Sequence, residues 1–338
     1  MKINFLLDFV ESNDNGIVNS ALRLAEKLRN KGINVSINGK GYNYDVFHTH
    51  MPSPLSIIKM RKAKRNGSKI ITHAHTTAED ITGSFIFTEN KLTFNLLDKY
   101  LRFFYNHADL VLTPSNWTKS VLTTKGLKSP VRVLSNGINL KKFKSDQKSA
   151  REFRKKYGIG KNDTLVYTVG IVFIRKGVET FRKVADELPD LKFLWIGKKY
   201  NSIFINRKPM NKVFKDIPPN LRFLGYVDGE DVVGAHSAGD IFLFPSYVEN
   251  QGIAILEAAA CSKAIVLRNL LAYDWALHRK NCLIAKNDKD FVKNVDSLSR
   301  NKKLRYKIGK AVKKVAVKND INRSIKELIK IYEDLISS

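Results

Sequence analysis

Short apolar runs alternate with amphipathic helical patterns from one end of the chain to the other, and this alternation restricts the fold more than any other feature. Strands joined through helices must run parallel, so the pattern is that of βαβ units in an α/β protein. In the first half the strand candidates are "KINFLLDF", "DVFHTH", "SKIITHAHT", "LVLTPS" and "VRVLSNG". In the second they are "TLVYTVG", "KFLWIG", "LRFLGYV", "DIFLFPS", "KAIVLR" and "NCLIAK". Between the first strands, "GIVNSALRLAEKLRNKG" sets Ile17, Ala21, Leu24, Ala25 and Leu28 on one helical face. "VETFRKVADEL", "IAILEAAAC" and "SIKELIKIYEDLI" are the clearest helices of the second half.

A chain of 338 residues exceeds the size at which a single core keeps growing, so two domains are expected. Apolar periodicity lapses in "NGINLKKFKSDQKSAREF", which reads as a linker centred on Lys141 to Ser149. The expected division is an N-terminal domain at 1–145, a C-terminal domain at 150–320 and a closing helix at 321–338. Ligands of doubly wound sheets bind at the carboxyl ends of the strands, so the loops that come after strands are where chemistry is sought.

The opening "MKINFLLDFV" is interrupted by Asp8 and reads as a buried strand, not a leader, and no stretch is long and apolar enough to span a bilayer. The two cysteines, Cys261 and Cys282, fit buried core positions in a reducing cytoplasm. Net charge is +27, more than solubility requires, which implies a polyanionic neighbour such as nucleic acid or anionic lipid. Much of it lies in two acid-free runs, "KMRKAKRNGSK" and "NKKLRYKIGKAVKKVAVK"; the plainer reading is a solvated lysine-rich surface.

The stretch "DIFLFPSYVENQGIAILEAAAC" places a strand, a turn carrying Glu249, the helix-opening Gly252 and Glu257 five residues further on. Unpaired amides at a helix N-terminus seat phosphate, and glycine permits its close approach. Glu257 then falls about 8 Å along the helix axis, where a nucleotide ribose would offer hydroxyls, while Glu249 lies on the sugar side. A retaining glycosidase needs its carboxylates about 5 Å apart, which a pair parted by a diphosphate cannot satisfy. In "IVFIRKG", Arg175 and Lys176 bring two cations to another loop beyond a strand. Each motif could by itself be surface charge.

Together, "PSYVENQGIAILEAAAC", "VGIVFIRKG", "FLWIG", "LRFLGYV", "LTPSNWTKS" and "VLSNGINLKKF" resemble the retaining family-4 glycosyltransferases, whose GT-B fold sets two Rossmann-like domains about a central cleft, with the last helix returning to the first domain. "THAHTTAEDITGSF", "ENQGI" and "DWALHRKNCL" are similar to bacterial diglycosyl-diacylglycerol synthases. The resemblance implies that Glu257 binds ribose and Glu249 the donor sugar. It further implies that Asn250, Gln251, Gly252 and Ile253 face the donor, and that Lys176 contacts the diphosphate. His75 would lie beside the reacting sugar, and Asn15, Gly16 and Ile17 would form the first donor and acceptor loop. His75, Lys176 and Glu249 are thus the expected catalytic residues; Gly16, Gly170 and Arg175 complete the donor site. The chain departs from the family at Gly170-Ile171, where Gly-Arg is usual, at Asn250-Gln251 in the E-G-F-G segment and at Asn15-Gly16 in the first loop. Arg175 is the candidate replacement for the missing cation.

The resemblance also implies UDP-glucose as co-substrate, no other cofactor, no metal and a glycolipid acceptor, here expected at an anionic cytoplasmic membrane surface. Lys59, Arg61, Lys62, Lys64 and Arg65, with Tyr100, Phe103 and Phe104 of "FNLLDKYLRFFYNHA", would make the membrane contact, and His75 would also face the acceptor. Two rivals stand beside this reading: a transferase of the same fold with a soluble saccharide or cell-wall acceptor, and a basic nucleic-acid-binding protein. The basic runs lack the aromatics of RNA-binding modules, and no zinc-finger or basic-zipper pattern occurs, so no nucleic acid is expected. His48, His50, His73 and His75 admit a rival reading as a metal site. "DKD" at 288–290 imitates a metal motif but reads better as a helix cap.

Overall fold

The computed structural model describes residues 1–7, 16–82, 90–199 and 207–338, and the chain forms two units. In the first, β1 (Lys2–Leu6), α1 (Gly16–Arg29), β2 (Asn34–Ile37), β3 (Val46–Thr49), α2 (Pro54–Arg65), β4 (Lys69–His73), α3 (Ala78–Ile81), α4 (Lys91–Tyr105), β5 (Leu110–Thr113), α5 (Asn116–Thr124) and β6 (Val131–Val133) come in order. The second runs α6 (Gln147–Lys156), β7 (Leu165–Val169), α7 (Val178–Glu187), β8 (Lys192–Ile196), α8 (Arg207–Phe214), β9 (Leu221–Gly225), α9 (Gly229–Ala238), β10 (Ile241–Phe244), α10 (Ile253–Ala260), β11 (Ala264–Arg268), β12 (Leu283–Ala285), α11 (Asp288–Arg300) and α12 (Lys302–Lys318). A last helix, α13 (Ile321–Ser337), belongs to the first unit.

Both sheets have six strands, ordered β2-β1-β3-β4-β5-β6 and β12-β11-β10-β7-β8-β9, and their pairings are parallel. The α/β expectation is met, and every strand expected from the sequence is present. β2 is an additional edge strand: "NVSI" is too short and polar to stand out, and only Val35 in it is buried. β1 breaks off at Leu6, and the rest of "KINFLLDF" lies beyond the described Leu7.

The chain passes from the first unit to the second between Gly137 and Ile138, ahead of the polar stretch at 141–149, and returns between Asp320 and Ile321. The polar stretch is instead the approach to α6, whose Asp146 side chain accepts from the Ser149 amide at its N-terminus. The two crossings touch: Ile138 N–H donates to the Asn319 carbonyl at 2.8 Å. Gly137 has φ 71°, and a methyl group there would meet the Ile321 Cα at 2.7 Å.

α13 returns because its apolar residues recur at helical spacing. Ile321, Ile325, Leu328, Ile331 and Tyr332 are buried with Ile3, Phe5, Leu24 and Leu28 of the first unit. Each such side chain contributes about 1.5–3 kcal/mol when fully buried. The second unit has its own core, built from Phe181, Phe193, Trp195, Ile241, Leu243, Val266 and Phe291 among others. Cys261 and Cys282 are free and buried.

Candidate active site

A crevice forms in a doubly wound sheet where the chain, having built strands to one side, crosses back to build to the other. In the second sheet that point lies between β7 and β10. The loops leaving these strands carry Lys176 and Glu249, and the structure brings the two side chains together in an ion pair. Glu249 is only 6% exposed, and its Oε1 also accepts from the Ser246 hydroxyl at 2.8 Å. The Lys176 ammonium stands 5.7 Å from the centre of the Phe244 ring, at the end of β10.

Gly177 makes this apposition possible. Its φ is 76°, and a methyl group there would stand 2.2 Å from the Pro245 carbonyl oxygen. The two loops then lock: Tyr247 N–H donates to the Arg175 carbonyl at 2.8 Å, and the Ser246 hydroxyl reaches the same oxygen at 3.3 Å. Gly177→Ala is therefore expected to cost about 3 kcal/mol or more, since the left-handed conformation alone costs about 1–2 kcal/mol and the backbone must also separate. Chemical denaturation of the variant checks this; a change under about 0.5 kcal/mol, the range of a bland surface substitution, would contradict it.

Arg268, unremarkable in the sequence, braces the site from behind. It lies 3.9 Å over the Tyr247 ring, donates from Nε to the Pro245 carbonyl at 3.0 Å and from Nη2 to the Thr180 hydroxyl at 3.0 Å. Thr180 in turn donates to Asp288 at 2.8 Å. The "DKD" run thus opens a helix as expected, but the capping side chain is Asn287, which accepts from the Asp290 amide. Tyr273 is a second residue that no sequence pattern singles out. Its buried hydroxyl is pushed well above the usual phenol range by burial and then by the Glu249 charge.

Past Glu249 the chain enters α10 through Gly252, at φ 78°. Asn250 is buried, Gln251, Gly252 and Ile253 are half-buried, and all precede or open the helix. Glu257 is half-buried in the second turn, its Oε2 3.4 Å from Nε2 of the fully buried His236. Gly170, at the end of β7, accepts from the Trp195 indole at 2.8 Å, and Gly197 crosses so close that a methyl there would stand 2.0 Å from the Gly170 oxygen. The second-unit residues named from sequence therefore cluster on the loops after β7 and β10 and the start of α10.

In the first unit, His75 comes after β4, while Gly16 and Ile17 begin α1 and Asn15 lies outside the described residues. His75 ends a column of imidazoles. Its Nε2 shares a hydrogen bond with His50 Nδ1 at 3.1 Å, and His48 Nδ1 shares one with the Tyr332 hydroxyl of α13 at 2.7 Å. The rings are stacked: 4.1 Å and 13° for His73 and His75, 4.3 Å and 24° for His48 and His50. Donor nitrogens of His48, His50 and His73 lie within 4.8 Å of one another, but His48 and His73 are 5.6 Å apart at 6°. Imidazole binds a metal in its own plane, and near-parallel rings share no such point as they stand. Burial holds all four below the usual histidine range, His75 at about 3.

The expected surface contacts separate into two groups. On α4, Leu92, Leu96 and Phe103 are 66%, 57% and 51% exposed, and on α2 Leu55 and Ile58 are each 53% exposed. Arg61 joins the helices, donating to His107 at 3.0 Å with its guanidinium 6.0 Å from the Phe103 ring. Lys62 and Arg65 are exposed beside them and Lys59 is half-buried. Phe104, expected at the surface, is fully buried in the core with Leu101 and Tyr105, because the helix turns that face inward. Tyr100 is half-buried, its hydroxyl donating to the Pro52 carbonyl at 3.1 Å, and Lys64 is paired with Asp109. No helix among the described residues is long and apolar enough to cross a membrane.

Comparison with known proteins agrees with this architecture. A family model described as Glycosyl transferases group 1 matches residues 149–315, and one described as Glycosyltransferase Family 4 matches residues 38–142. The processive diacylglycerol alpha-glucosyltransferase of Acholeplasma laidlawii is 35% identical over 260 residues, 75% of each chain. The alpha-galactosylglucosyldiacylglycerol synthase of Streptococcus pneumoniae is 28% identical over 235 residues, 68% of this chain and 61% of that one. Among solved structures, Anabaena Alr3699/HepE in complex with UDP and glucose superposes with a TM-score of 0.81 at 14% identity, over 99% of this chain and 100% of that one. Sucrose-phosphate synthase of Thermosynechococcus elongatus does so with a TM-score of 0.84 at 15% identity, covering 100% of both chains. Two six-stranded parallel sheets, the matched family models and a relative at this level of identity lead to one assignment: the chain belongs to family 4 of the glycosyltransferases and has the GT-B fold.

Proposed function

We propose that the chain moves a hexose, glucose from UDP-glucose, onto a glycolipid such as glucosyl-diacylglycerol, with retention of anomeric configuration and without a divalent metal. The observation that carries this reading is the Lys176–Glu249 pair at the point where the second sheet reverses, beside the opening turn of α10. In this reading an arriving diphosphate draws the Lys176 ammonium to itself, with Arg175 and the α10 amides adding positive potential. Glu249, released, accepts hydroxyls of the hexose, while Glu257 accepts those of the ribose. The acceptor hydroxyl forms a bond to the anomeric carbon as the bond from that carbon to the phosphate oxygen breaks on the same face. The departing phosphate takes the hydroxyl proton. His75, neutral in its column, orients the sugar.

The lipid acceptor is supported by the relatives, whose names place diacylglycerol glycolipids among their substrates and products, and by the exposed apolar stripe on α2 and α4. Such a stripe flanked by cations suits a peripheral position at an anionic cytoplasmic headgroup layer. Incubation with labelled nucleotide-sugars, glucosyl-diacylglycerol vesicles and free saccharides, with anomeric analysis of the product, tests the proposal. An α-linked glycolipid is expected; transfer only to soluble saccharides, or an inverted product, would overturn it.

The stripe makes a separate prediction. Leu96→Ser with Phe103→Ser removes two exposed apolar side chains and is expected to lower partitioning onto anionic vesicles by about 30- to 900-fold, at roughly 1–2 kcal/mol for each side chain incompletely inserted. Sedimentation with vesicles measures it, and unchanged partitioning would show that this face does not meet the membrane. Phe104→Ser, by contrast, should be read out as lost stability.

A further inference from the structure

His236 is buried at the back of the second unit's site and has no part in the proposed transfer step. It lies on α9, 0% exposed, between the rings of Phe143, Tyr167 and Phe242. Its Nδ1 is 2.9 Å from the Tyr167 hydroxyl. Its Nε2 has no hydrogen bond among the described residues and stands 3.4 Å from Glu257 Oε2, in a geometry that stops short of one. The Glu257 carboxylate, for its part, has no other ion-pair or hydrogen-bond partner among the described residues. A buried nitrogen without a partner is costly, and here it is aimed at the carboxylate that the proposed function assigns to the ribose.

Chemistry selects the tautomer. If Nδ1 carried the proton, the Nε2 lone pair would face the carboxylate and repel it. If instead the Tyr167 hydroxyl donates to Nδ1, Nε2 carries the proton and can donate to Glu257. Gly239 supports this arrangement, since a methyl group there would stand 2.1 Å from Tyr167 Cε1 and push the ring from its place.

We propose that His236 is a positioning residue for nucleotide recognition, with the Tyr167–His236 pair steering the Glu257 carboxylate onto the ribose hydroxyls when a nucleoside diphosphate binds. The inference rests on the reading of Glu257 as the ribose ligand. A small rotation of Glu257 converts the 3.4 Å approach into a hydrogen bond, leaving its second oxygen free to accept from the sugar. The pair then acts on binding and leaves the transfer step alone.

The test compares His236→Phe, which keeps the packed volume, and His236→Gln, whose amide can donate in place of Nε2, with the unaltered enzyme and Glu257→Ala. UDP, GDP and ADP are titrated calorimetrically, and the tightest binder is set against its 2′-deoxy analogue. The unaltered enzyme is expected to prefer the ribo form. His236→Phe should lose about ten- to a hundredfold in affinity, the range of a hydrogen bond to a charged group, and most of its ribo preference. Its kcat should stay within about twofold while KM rises, the signature of lost uniform binding, and His236→Gln should recover part of both losses. Retention of the ribo preference by His236→Phe while Glu257→Ala loses it would overturn the inference and leave the ribose assignment standing. Absence of any ribo preference in the unaltered enzyme would remove that assignment and the inference with it. General loss of thermal stability does not imitate the expected result, because it does not discriminate a ribose from a deoxyribose.

Discussion

Lys176→Met is expected to lower kcat by about 10²- to 10³-fold, the usual loss when one preorganised charge aimed at a developing anion is removed. The substitution also strands a partner. Glu249 is 6% exposed and would keep the Ser246 hydroxyl as a neutral donor, so the single variant should lose about 2–3 kcal/mol of stability, somewhat less than a fully buried broken pair. Glu249→Gln should do likewise from the other side. The double variant should recover most of that stability and none of the turnover, because a neutral pair carries no desolvation penalty but cannot hold a diphosphate or a sugar. Denaturation and single-turnover kinetics on the four proteins of this cycle separate the two effects. Strictly additive stability losses would show that the pair is not coupled, and full turnover in either single variant would remove it from the reaction.

Acid is expected to unfold the first unit abruptly. His48, His50 and His73 titrate well below the usual range and His75 at about 3, in each case first because of burial. Groups that stay neutral when folded but protonate near 6.5 when unfolded leave stability unchanged above that value and remove it as pH falls. Each contributes about 1.4 kcal/mol per pH unit below the unfolded value. Four such groups in one column make the loss steep once pH falls below the unfolded value. The unfolding midpoint should therefore lie below the unfolded histidine value and ahead of the carboxylates. Both His73 nitrogens lack hydrogen-bond partners among the described residues, so His73→Leu should raise stability at neutral pH and remove about one proton from the slope. A pH titration of ellipticity measures both; a first unit still folded at pH 4 would contradict this expectation.

The sheets are legible in the sequence because buried parallel strands are near-continuous apolar runs, as in "DIFLFPS" and "KAIVLR". β2 is not, since an edge strand needs few apolar residues and "NVSI" supplies one that is buried. The passage between units lies a few residues before the polar stretch, because a polar approach to α6 looks like a linker in one dimension, while the actual crossing is fixed by the contact of Gly137 with Ile321. Phe104 reads as a surface residue because the apolar stretch "FNLLDKYLRFFYNHA" does not by itself reveal which edge of the helix faces the core. At the site, order along the chain points to Lys176 and Glu249 but not to their mutual pairing, which depends on Gly177 pressing against Pro245. Arg268, Tyr273 and His236 are silent for the same reason: each reaches the site from an element far away in sequence, through side-chain direction alone.

In the proposed function an activated sugar lies along the opening of α10, with its diphosphate at the first turn and its two ends at Glu249 and Glu257. A crystal structure with UDP-glucose bound tests it directly. Phosphate oxygens are expected on the amides around Gly252 and on the Lys176 ammonium, ribose hydroxyls on Glu257 and hexose hydroxyls on a Glu249 that has let go of Lys176. A donor bound elsewhere, with the Lys176–Glu249 pair still closed, would contradict it.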